Sequence, residues 1–204
     1  MPYENVRKFE QEVADFAGSK YAVAVESCTA ALFLCCYYLR VKWVHIPKFT
    51  YPGVPCSIIH AGGKVMFTNE AWQGIYQLRP YPIYDSALRF APGMYAQYSF
   101  YCLSFHIRKH IGIGRGGMIL CNNSEAVEWF KKARFDGRSE CPLIEDNITS
   151  LGWNLYMTPE QAVRGSMLLG VYKQRGDFKD LAVQDQNYID LSQFNIYKLR
   201  NNNE

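Results

Sequence analysis

A short apolar run followed at once by an apolar helix constrains the fold more than any other feature of this chain. Residues 21–25, with the sequence YAVAV, suit a strand that is buried on both faces. After Ser27 and Thr29, residues 30–39 form an almost wholly apolar segment of helical length. Neither element has a polar face to turn to water, so the pair favours a buried strand covered by helices.

Short strands and helices alternate along the rest of the chain. Strands are predicted over 41–47, 64–67, 82–85, 98–104 and 116–120, and helices over 4–17, 54–61, 124–135 and 158–172. Residues 68–80 are ambiguous, and their spacing allows a short helix around 72–78. The alternation predicts an α/β fold with a mostly parallel central sheet flanked by helices. We expect a large domain over 1–172 and an extension over 173–204 that packs on the body or on a partner subunit.

The composition argues against several classes of function. The net charge is only +3 and no dense run of Lys and Arg occurs, so nucleic-acid binding has no electrostatic footprint. Seven cysteines without C-x-x-C spacing, and four scattered histidines, predict buried thiols of a reducing compartment and no metal site. The start lacks a signal-peptide pattern, and no apolar run is long enough to span a bilayer. We therefore expect a soluble, cytoplasmic protein.

Three polar positions follow predicted strands and are candidates for a ligand site. Ser27 and Thr29 lie between a strand and a helix, where their hydroxyls can cap the helix or its free N–H groups can bind an anion. Asp85 ends the strand over 82–85, where a carboxylate can lie in the ligand crevice of an α/β protein or can form a turn. The local pattern leaves both alternatives open at each position.

A lysine lies beside a glycine-rich segment over residues 104–117. Lys109 stands between Ser104 and four glycines, and such a lysine can be a solvated charge, a phosphate ligand or, when desolvated, a nucleophilic amine. A dinucleotide-binding loop at 112–117 would have to open a helix, and a strand-like segment follows instead. The glycines therefore favour a turn, and the role of Lys109 depends on the rest of the chain.

Five separated stretches resemble a single family in the same order. These stretches are FEQEVADFAGSKYAVAVESCTAALFL, IPKFTYPGVPCSIIHAGGKVMF, YDSA, SFHIRKHIGIGRGG and LGWNLYMTPEQAVRGSMLL, and they span roughly residues 6–170. Together they resemble the DegT/DnrJ/StrS-type sugar aminotransferases, which are fold type I enzymes dependent on pyridoxal 5′-phosphate. The resemblance implies a cofactor-binding large domain, and a minimal version of the fold that lacks most of the small domain.

The resemblance implies a catalytic role for two residues. Lys109 matches the lysine that forms a Schiff base with the cofactor and then shuttles a proton. Asp85 matches the acid that pairs with the pyridinium nitrogen, so that the ring acts as an electron sink. The implied reaction moves an amino group, from glutamate in the usual case, to a keto-sugar that is typically attached to a nucleotide.

The resemblance also implies cofactor contacts and a partner. Tyr51 falls where the family stacks an aromatic ring on the cofactor, and Cys28, Thr29 and Ser104 fall at phosphate-binding positions. Asn154 matches an asparagine that reaches the cofactor from the neighbouring subunit. The implied assembly is a homodimer with shared active sites, and the implied ligands are a small-molecule amino donor and a sugar acceptor.

Three departures from the family pattern keep a second hypothesis open. Cys28 stands where the family usually has glycine, and Leu88 stands where it often has a glutamine that contacts the cofactor. Few residues separate the predicted strands over 64–67 and 82–85, and few follow residue 172. The chain is therefore either an active transaminase or a cofactor-binding member that is catalytically altered and acts as a structural or partner subunit.

Overall fold

Strands and helices alternate through most of the chain in a computed structural model, which describes residues 3–199. The helices of this part are α1 (Glu4–Ala17), α2 (Cys28–Tyr38), α3 (Gly53–His60), α4 (Ser124–Ala133), α5 (Pro159–Arg175) and α6 (Asn195–Leu199). The strands are β1 (Tyr21–Val25), β2 (Trp43–Pro47), β3 (Lys64–Thr68), β4 (Tyr76–Gln77), β5 (Ile83–Asp85), β6 (Phe100–Ser104) and β7 (Gly117–Cys121). The predicted α/β class is confirmed.

The central sheet is mixed, so the prediction of mostly parallel pairing is wrong. Its order is β1-β7-β6-β5-β4, and β2 and β3 form a separate parallel pair. Only β5 and β6 pair in parallel within the larger sheet, whereas β1–β7, β6–β7 and β4–β5 are antiparallel.

The directions of the strands explain this difference. β1, β5 and β6 run the same way, and an antiparallel bridge between His45 and Arg79 gives β2 and β3 that direction as well. The bridge has two hydrogen bonds, of 2.8 and 3.1 Å, and joins the two sheets edge to edge. β7 and the segment 76–79 run opposite to this common direction, and each lies between two strands that follow it. Their pairings are therefore antiparallel.

Residues 68–80 do not contain the helix allowed around 72–78. β4 instead forms a hairpin with β5, in which Tyr76 pairs with Asp85 and Gln77 with Tyr84. Tyr76 and Leu78 are buried while Gln77 between them is only partly buried, which is the two-residue period of a strand. Burial against the sheet, rather than local helical spacing, therefore decides the structure of this segment.

The sheet separates two apolar clusters, and β1 contributes to both. Val23 and Val25 pack in the cluster that contains residues of α2, α3 and α4, whereas Ala22 and Ala24 pack in the cluster with α1 and α5. Successive side chains of a strand point to opposite faces, so a strand covered on both sides must be apolar throughout. The run YAVAV meets this requirement.

The described part of the C-terminal extension packs on the body of the protein. Asp180 accepts two hydrogen bonds from the Arg89 guanidinium, at 2.8 and 2.7 Å, and Asp190 pairs with Lys48 at 2.8 Å. α5 continues to Arg175, beyond the predicted domain boundary at residue 172. The last five residues of the predicted extension, 200–204, lie outside the described residues. The division into two units at this boundary stays a prediction.

Every helix within residues 3–199 is too short or too polar to cross a bilayer.

We expect Gly117→Ala to destabilise the protein because β7 passes directly beneath the turn at Ser27. A Cβ atom at position 117 would lie 2.6 Å from the Cys28 nitrogen, and nearer still to the Ser27 carbonyl group. Backbone cannot move aside as a flexible side chain can, so the loss should be about 1–3 kcal/mol of unfolding free energy. Urea unfolding of the purified variant measures it.

Gly170→Ala is the matched control for this prediction. A Cβ atom at the exposed Gly170 of α5 would meet nothing within 4 Å. Alanine favours a helix over glycine by about 1 kcal/mol, so this variant should be slightly more stable than the parent. Equal effects of the two substitutions would contradict the close approach of β7 to the turn.

Candidate active site

A cavity of about 1180 Å³ opens where β1, β5 and β6 end. Its wall includes six of the seven residues that sequence analysis assigned to the site, namely Cys28, Thr29, Tyr51, Asp85, Ser104 and Lys109. They come from stretches far apart in the chain. The strands bring them together because β1, β5 and β6 share one direction and end at the same edge of the sheet.

The turn after β1 leads into α2 at the cavity wall. The Ser27 side chain accepts a hydrogen bond of 3.1 Å from the Ala30 N–H, so Ser27 is the N-cap of α2. Ser27, Thr29 and Ala30 line the cavity together with this helix end. Capping and anion binding are thus compatible here, because the other N–H groups of the first turn remain without helical partners.

The Cys28 side chain lies close to the sheet. Its Sγ is 3.4 Å from the Cys102 carbonyl oxygen and 3.9 Å from Asp85 Oδ1. Burial, together with the nearby Asp85 charge, raises the pKa of the Cys28 thiol well above its ordinary value. The thiol is therefore a neutral S–H group, and the turn accommodates a side chain where the family usually has glycine.

Asp85 presents a buried carboxylate to the cavity. Its Oδ2 accepts a hydrogen bond from the Tyr76 hydroxyl at 2.9 Å, and its Oδ1 accepts one from the Ala87 N–H at 3.0 Å. Burial raises the pKa of the Asp85 carboxyl, while these hydrogen bonds and the charge of Lys109 act in the opposite direction. Such a carboxylate suits a cationic group of a ligand, which would offset the cost of its burial.

Lys109 carries a partly buried amine on the loop that joins β6 to β7. The loop doubles back through hydrogen bonds from Phe105 N to the Gly116 oxygen and from Ile107 N to the Gly114 oxygen. Burial lowers the pKa of the Lys109 amine, and the Asp85 charge opposes this shift. The predicted glycine turn is confirmed, because β7 and not a helix follows it.

The extension supplies a wall of the cavity that sequence analysis missed. Gln186 accepts a hydrogen bond of 3.2 Å from the Lys109 Nζ, and Tyr188 lines the cavity beside it. The Tyr188 ring stacks on Trp72, with centroids 6.1 Å apart. No local pattern marks these residues, since Gln186 ends one short 3₁₀ helix and Tyr188 lies in the polar segment before the next. Only the fold of the whole chain places them at the site.

Two further sequence positions do not reach the cavity. Asn154 lies outside its wall and donates a hydrogen bond of 3.1 Å to Asp136 Oδ2, although Trp153 and Leu155 on either side line the cavity. Leu88 is fully buried, and its carbonyl oxygen accepts a hydrogen bond from the Leu181 N–H. The site within one chain therefore includes neither the Asn154 amide nor a polar group from position 88.

The residues at the cavity fit pyridoxal 5′-phosphate. A desolvated amine on Lys109 suits its aldehyde, the buried Asp85 suits a protonated ring nitrogen, and the α2 N-terminus suits a phosphate. Tyr51 is exposed at the wall and can offer a ring face. Among residues 3–199 no three His, Cys, Asp or Glu side chains are grouped to hold a metal ion.

The chain is similar to part of a known spore-coat protein. It is 40% identical over 70 residues to the spore coat polysaccharide biosynthesis protein SpsC of Bacillus subtilis (strain 168), a match that covers 31% of this chain and 17% of that protein.

Solved aminotransferases have the same fold. Helicobacter pylori PseC, an aminotransferase involved in the biosynthesis of pseudoaminic acid, superposes with a TM-score of 0.70 at 19% identity, over 84% of this chain and 58% of that one. The pyridoxal phosphate form of the putative sugar aminotransferase Spr1654 of Streptococcus pneumoniae superposes with a TM-score of 0.69 at 17% identity. This match covers 83% of this chain and 59% of that one. The chain thus spans about three fifths of the length of these structures. At such identities the likeness shows the fold alone.

A family model covers most of the sequence. The model of the DegT/DnrJ/EryC1/StrS aminotransferase family matches residues 1–75 and 93–176. Lys109 lies inside the match, whereas Tyr76 and Asp85 lie in the interval between its two parts, so the place of Asp85 at the site rests on the structure. Because this match covers more than half of its residues, the chain belongs to the DegT/DnrJ/EryC1/StrS aminotransferase family.

Proposed function

We propose that this protein is a pyridoxal phosphate-dependent aminotransferase that moves an amino group from glutamate to a keto-sugar linked to a nucleotide. One observation carries the proposal: the Lys109 amine and the Asp85 carboxylate meet in one cavity with a helix N-terminus. Family membership supports the reaction class. SpsC is named for polysaccharide biosynthesis and Spr1654 is named a putative sugar aminotransferase, which supports a sugar acceptor.

The proposal gives each residue of the cavity a physical role. Bound pyridoxal phosphate would supply an electron sink for the carbanion that forms when the donor loses its α-proton. Ser27, Thr29 and Ser104 would hold the phosphate, Tyr51 would cover the ring and Asp85 would hold a proton on the ring nitrogen. The extension residues Gln186 and Tyr188 would restrict the access of water on their side.

Lys109 is the proposed proton carrier of the site. An amine accepts a proton only when it is neutral, and burial favours the neutral form of Lys109 at a lower pH than for an exposed lysine. The Gln186 amide oxygen, 3.2 Å away, gives the Lys109 side chain a fixed position when the donor and acceptor are absent. The amine is therefore both reactive and oriented.

A second candidate function is cofactor binding without turnover, in a structural or partner subunit. Leu88 favours it, because this position offers the cavity no polar side chain where the family often has a glutamine. The proposal of an active enzyme rests on Lys109 and Asp85, which a structural role alone would not require. The two candidates differ in whether an amino donor changes the bound cofactor.

We further propose a cytoplasmic homodimer in which Asn154 serves the site of the neighbouring subunit. Asn154 lies beside the cavity of its own chain without entering it, and its amide is held by Asp136. The cysteine pattern supports the compartment, since seven cysteines without C-x-x-C spacing do not form the pattern of a disulfide framework.

The Lys109 amine should react with acetic anhydride at lower pH than exposed lysines do. The lowered pKa leaves more neutral amine at a given pH, and only the neutral amine is nucleophilic. Competitive labelling between about pH 7 and 11.5, a range that spans the ordinary lysine pKa of about 10.4, followed by peptide mass spectrometry, gives a titration curve for each lysine. Lys8, which is exposed on α1, is the internal reference. Coincident curves for the two lysines would contradict the effect of burial.

Addition of pyridoxal phosphate should give a visible absorption band that Lys109→Ala abolishes. The band requires a covalent bond between the cofactor aldehyde and an amine, and borohydride reduction should fix the cofactor on the peptide that carries Lys109. Lys131→Ala, which removes a lysine on the exposed part of α4, is the control and should keep the band. A parent protein without a band would overturn both candidate functions.

Glutamate should bleach the band in the active enzyme. A band that persists at high glutamate, and with other amino donors, would favour the second candidate. Asp85→Ala should keep the covalent attachment but slow the bleaching by at least 100-fold, because the ring nitrogen would lose the group that holds its proton. Stopped-flow absorbance measures this rate.

Mixing two inactive variants tests the shared site. If Asn154 acts in the neighbouring subunit, Lys109→Ala and Asn154→Ala chains that are unfolded and refolded together should form heterodimers with one intact site. Activity should then rise above that of either variant alone. The same mixture without refolding is the control. A monomeric parent in light scattering, or no recovery, would remove this role of Asn154.

A further inference from the structure

Three buried polar side chains form a continuous hydrogen-bonded chain that ends on Asp85; Thr50 and Asp85 line the cavity, and Tyr76 lies behind its wall between them. The Thr50 Oγ1 lies 2.6 Å from the Tyr76 hydroxyl, which lies 2.9 Å from Asp85 Oδ2. All three residues are buried, with 1%, 4% and 5% of their surface exposed. Hydrogen bonds in such surroundings are strong, because water does not compete for the same groups.

The direction of these hydrogen bonds follows from the number of protons. An ionised carboxylate can only accept, so Tyr76 must use its single hydroxyl proton on Asp85. The Tyr76 oxygen then accepts the proton of the Thr50 hydroxyl. With an ionised carboxylate, the relay therefore runs from Thr50 through Tyr76 to Asp85.

Tyr76 is held in this position by strand pairing and by packing. It lies directly opposite Asp85 in the β4–β5 hairpin, so the two side chains stand on the same face of the sheet. The Trp72 ring packs edge-on against Tyr76, with centroids 4.6 Å apart. Tyr76 is not part of the cavity wall, and therefore it acts on a ligand through the two wall residues that it contacts, Asp85 and Thr50.

Each oxygen of Asp85 has a described hydrogen-bond donor at 3.0 Å or less, and the Cys28 thiol is a further, more distant donor to Oδ1 at 3.9 Å. The Ala87 N–H serves Oδ1, which also faces the Cys28 thiol, and Tyr76 alone among the described residues serves Oδ2. Two fixed donors define the plane and the rotation of the carboxylate. Hydrogen bonds to the ionised form also counter the effect of burial, which favours the protonated acid.

We propose that Tyr76, supported by Thr50, is the positioning residue that keeps the Asp85 carboxylate ionised and oriented toward a cationic ring nitrogen of the ligand. This inference rests on the proposed function, which supplies that ring. Tyr76 lies in the interval 76–92 that the family model leaves out. The relay is therefore assigned from the geometry of this chain and not from the family match.

The first test is a double-mutant cycle on cofactor affinity. Tyr76→Phe should weaken the binding of pyridoxal phosphate about tenfold near neutral pH, as expected for loss of a hydrogen bond to a charged group. In an Asp85→Ala background the same substitution should change the affinity less than about twofold, because the group it acts on is gone. Fluorescence titration of the purified proteins gives the four dissociation constants.

Two further variants complete this test. Thr50→Val removes the donor to Tyr76 at nearly constant volume and should weaken binding in the same direction but less. Tyr84→Phe is the matched control, since Tyr84 neighbours Asp85 on β5, packs its ring on Tyr101 and has no described hydroxyl hydrogen bond. It should leave the affinity within about twofold, a change of about 0.4 kcal/mol. An equal effect of Tyr76→Phe with and without Asp85 would overturn the proposal and assign Tyr76 a merely structural role.

The second test needs no cofactor and separates this inference from the proposed function. Burial raises the pKa of Asp85 in the folded state, so folding binds a proton and stability falls as pH rises between the unfolded and folded pKa values. Loss of the Tyr76 donor should raise the folded pKa further. The midpoint of thermal unfolding should therefore drop more in Tyr76→Phe than in the parent as pH rises through this window.

The outcomes of the two tests are distinct. A parent that fails to bind pyridoxal phosphate refutes the proposed function and the ligand part of this inference, while the pH profile still decides whether Tyr76 supports the charge of Asp85. Parallel pH profiles of the parent and Tyr76→Phe would overturn that support. Should Tyr76→Phe fail to fold, Thr50→Val carries both tests, with a smaller expected shift.

Discussion

The common direction of β1, β5 and β6 is the constraint on which the rest of the site depends. Because these strands end at one edge of the sheet, Ser27, Asp85 and Ser104 arrive at the same cavity from distant parts of the chain. β7 runs the other way between β1 and β6, and it brings the chain back after Lys109. Its first residue, Gly117, has no side chain, which lets the turn at Ser27 lie directly over the strand.

Two desolvated charges of opposite sign give this cavity its chemistry. Burial disfavours the charged forms of both Asp85 and Lys109. The charge of each group partly offsets this effect, because it stabilises the charged form of the other. The two groups are held by different hydrogen bonds. Asp85 accepts hydrogen bonds from Tyr76 and Ala87, which are near it in the sequence, whereas Lys109 donates one to Gln186 in the C-terminal extension. An acid held by buried donors beside a partly desolvated amine suits a site in which one group holds a proton and the other moves one.

Sequence analysis predicts the parts of the structure that depend on local patterns. β1, α2 and the loop after Lys109 follow from apolar runs, a capping serine and glycines, and the family resemblance then selects Lys109 and Asp85 as a pair. The pairing of strands depends on contacts between distant residues, and so the mixed sheet was not predictable from spacing. Gln186 and Tyr188 were missed for the same reason, because a polar segment without periodicity reaches the cavity only through the folded body.

The segment 76–79 shows how one departure from the expected fold can serve the site. It lies between β5 and β2, pairs with both through antiparallel hydrogen bonds and so closes the gap between the two sheets with few residues. The same antiparallel register sets Tyr76 opposite Asp85, on the same face of the sheet. A parallel pairing of β4 and β5 would need a crossover of about a dozen residues or more, and the connection over residues 78–82 is too short for one. The antiparallel pairing of segment 76–79, which the sequence pattern does not predict, therefore has two effects. It joins the two sheets, and it places the Tyr76 hydroxyl within hydrogen-bonding distance of Asp85.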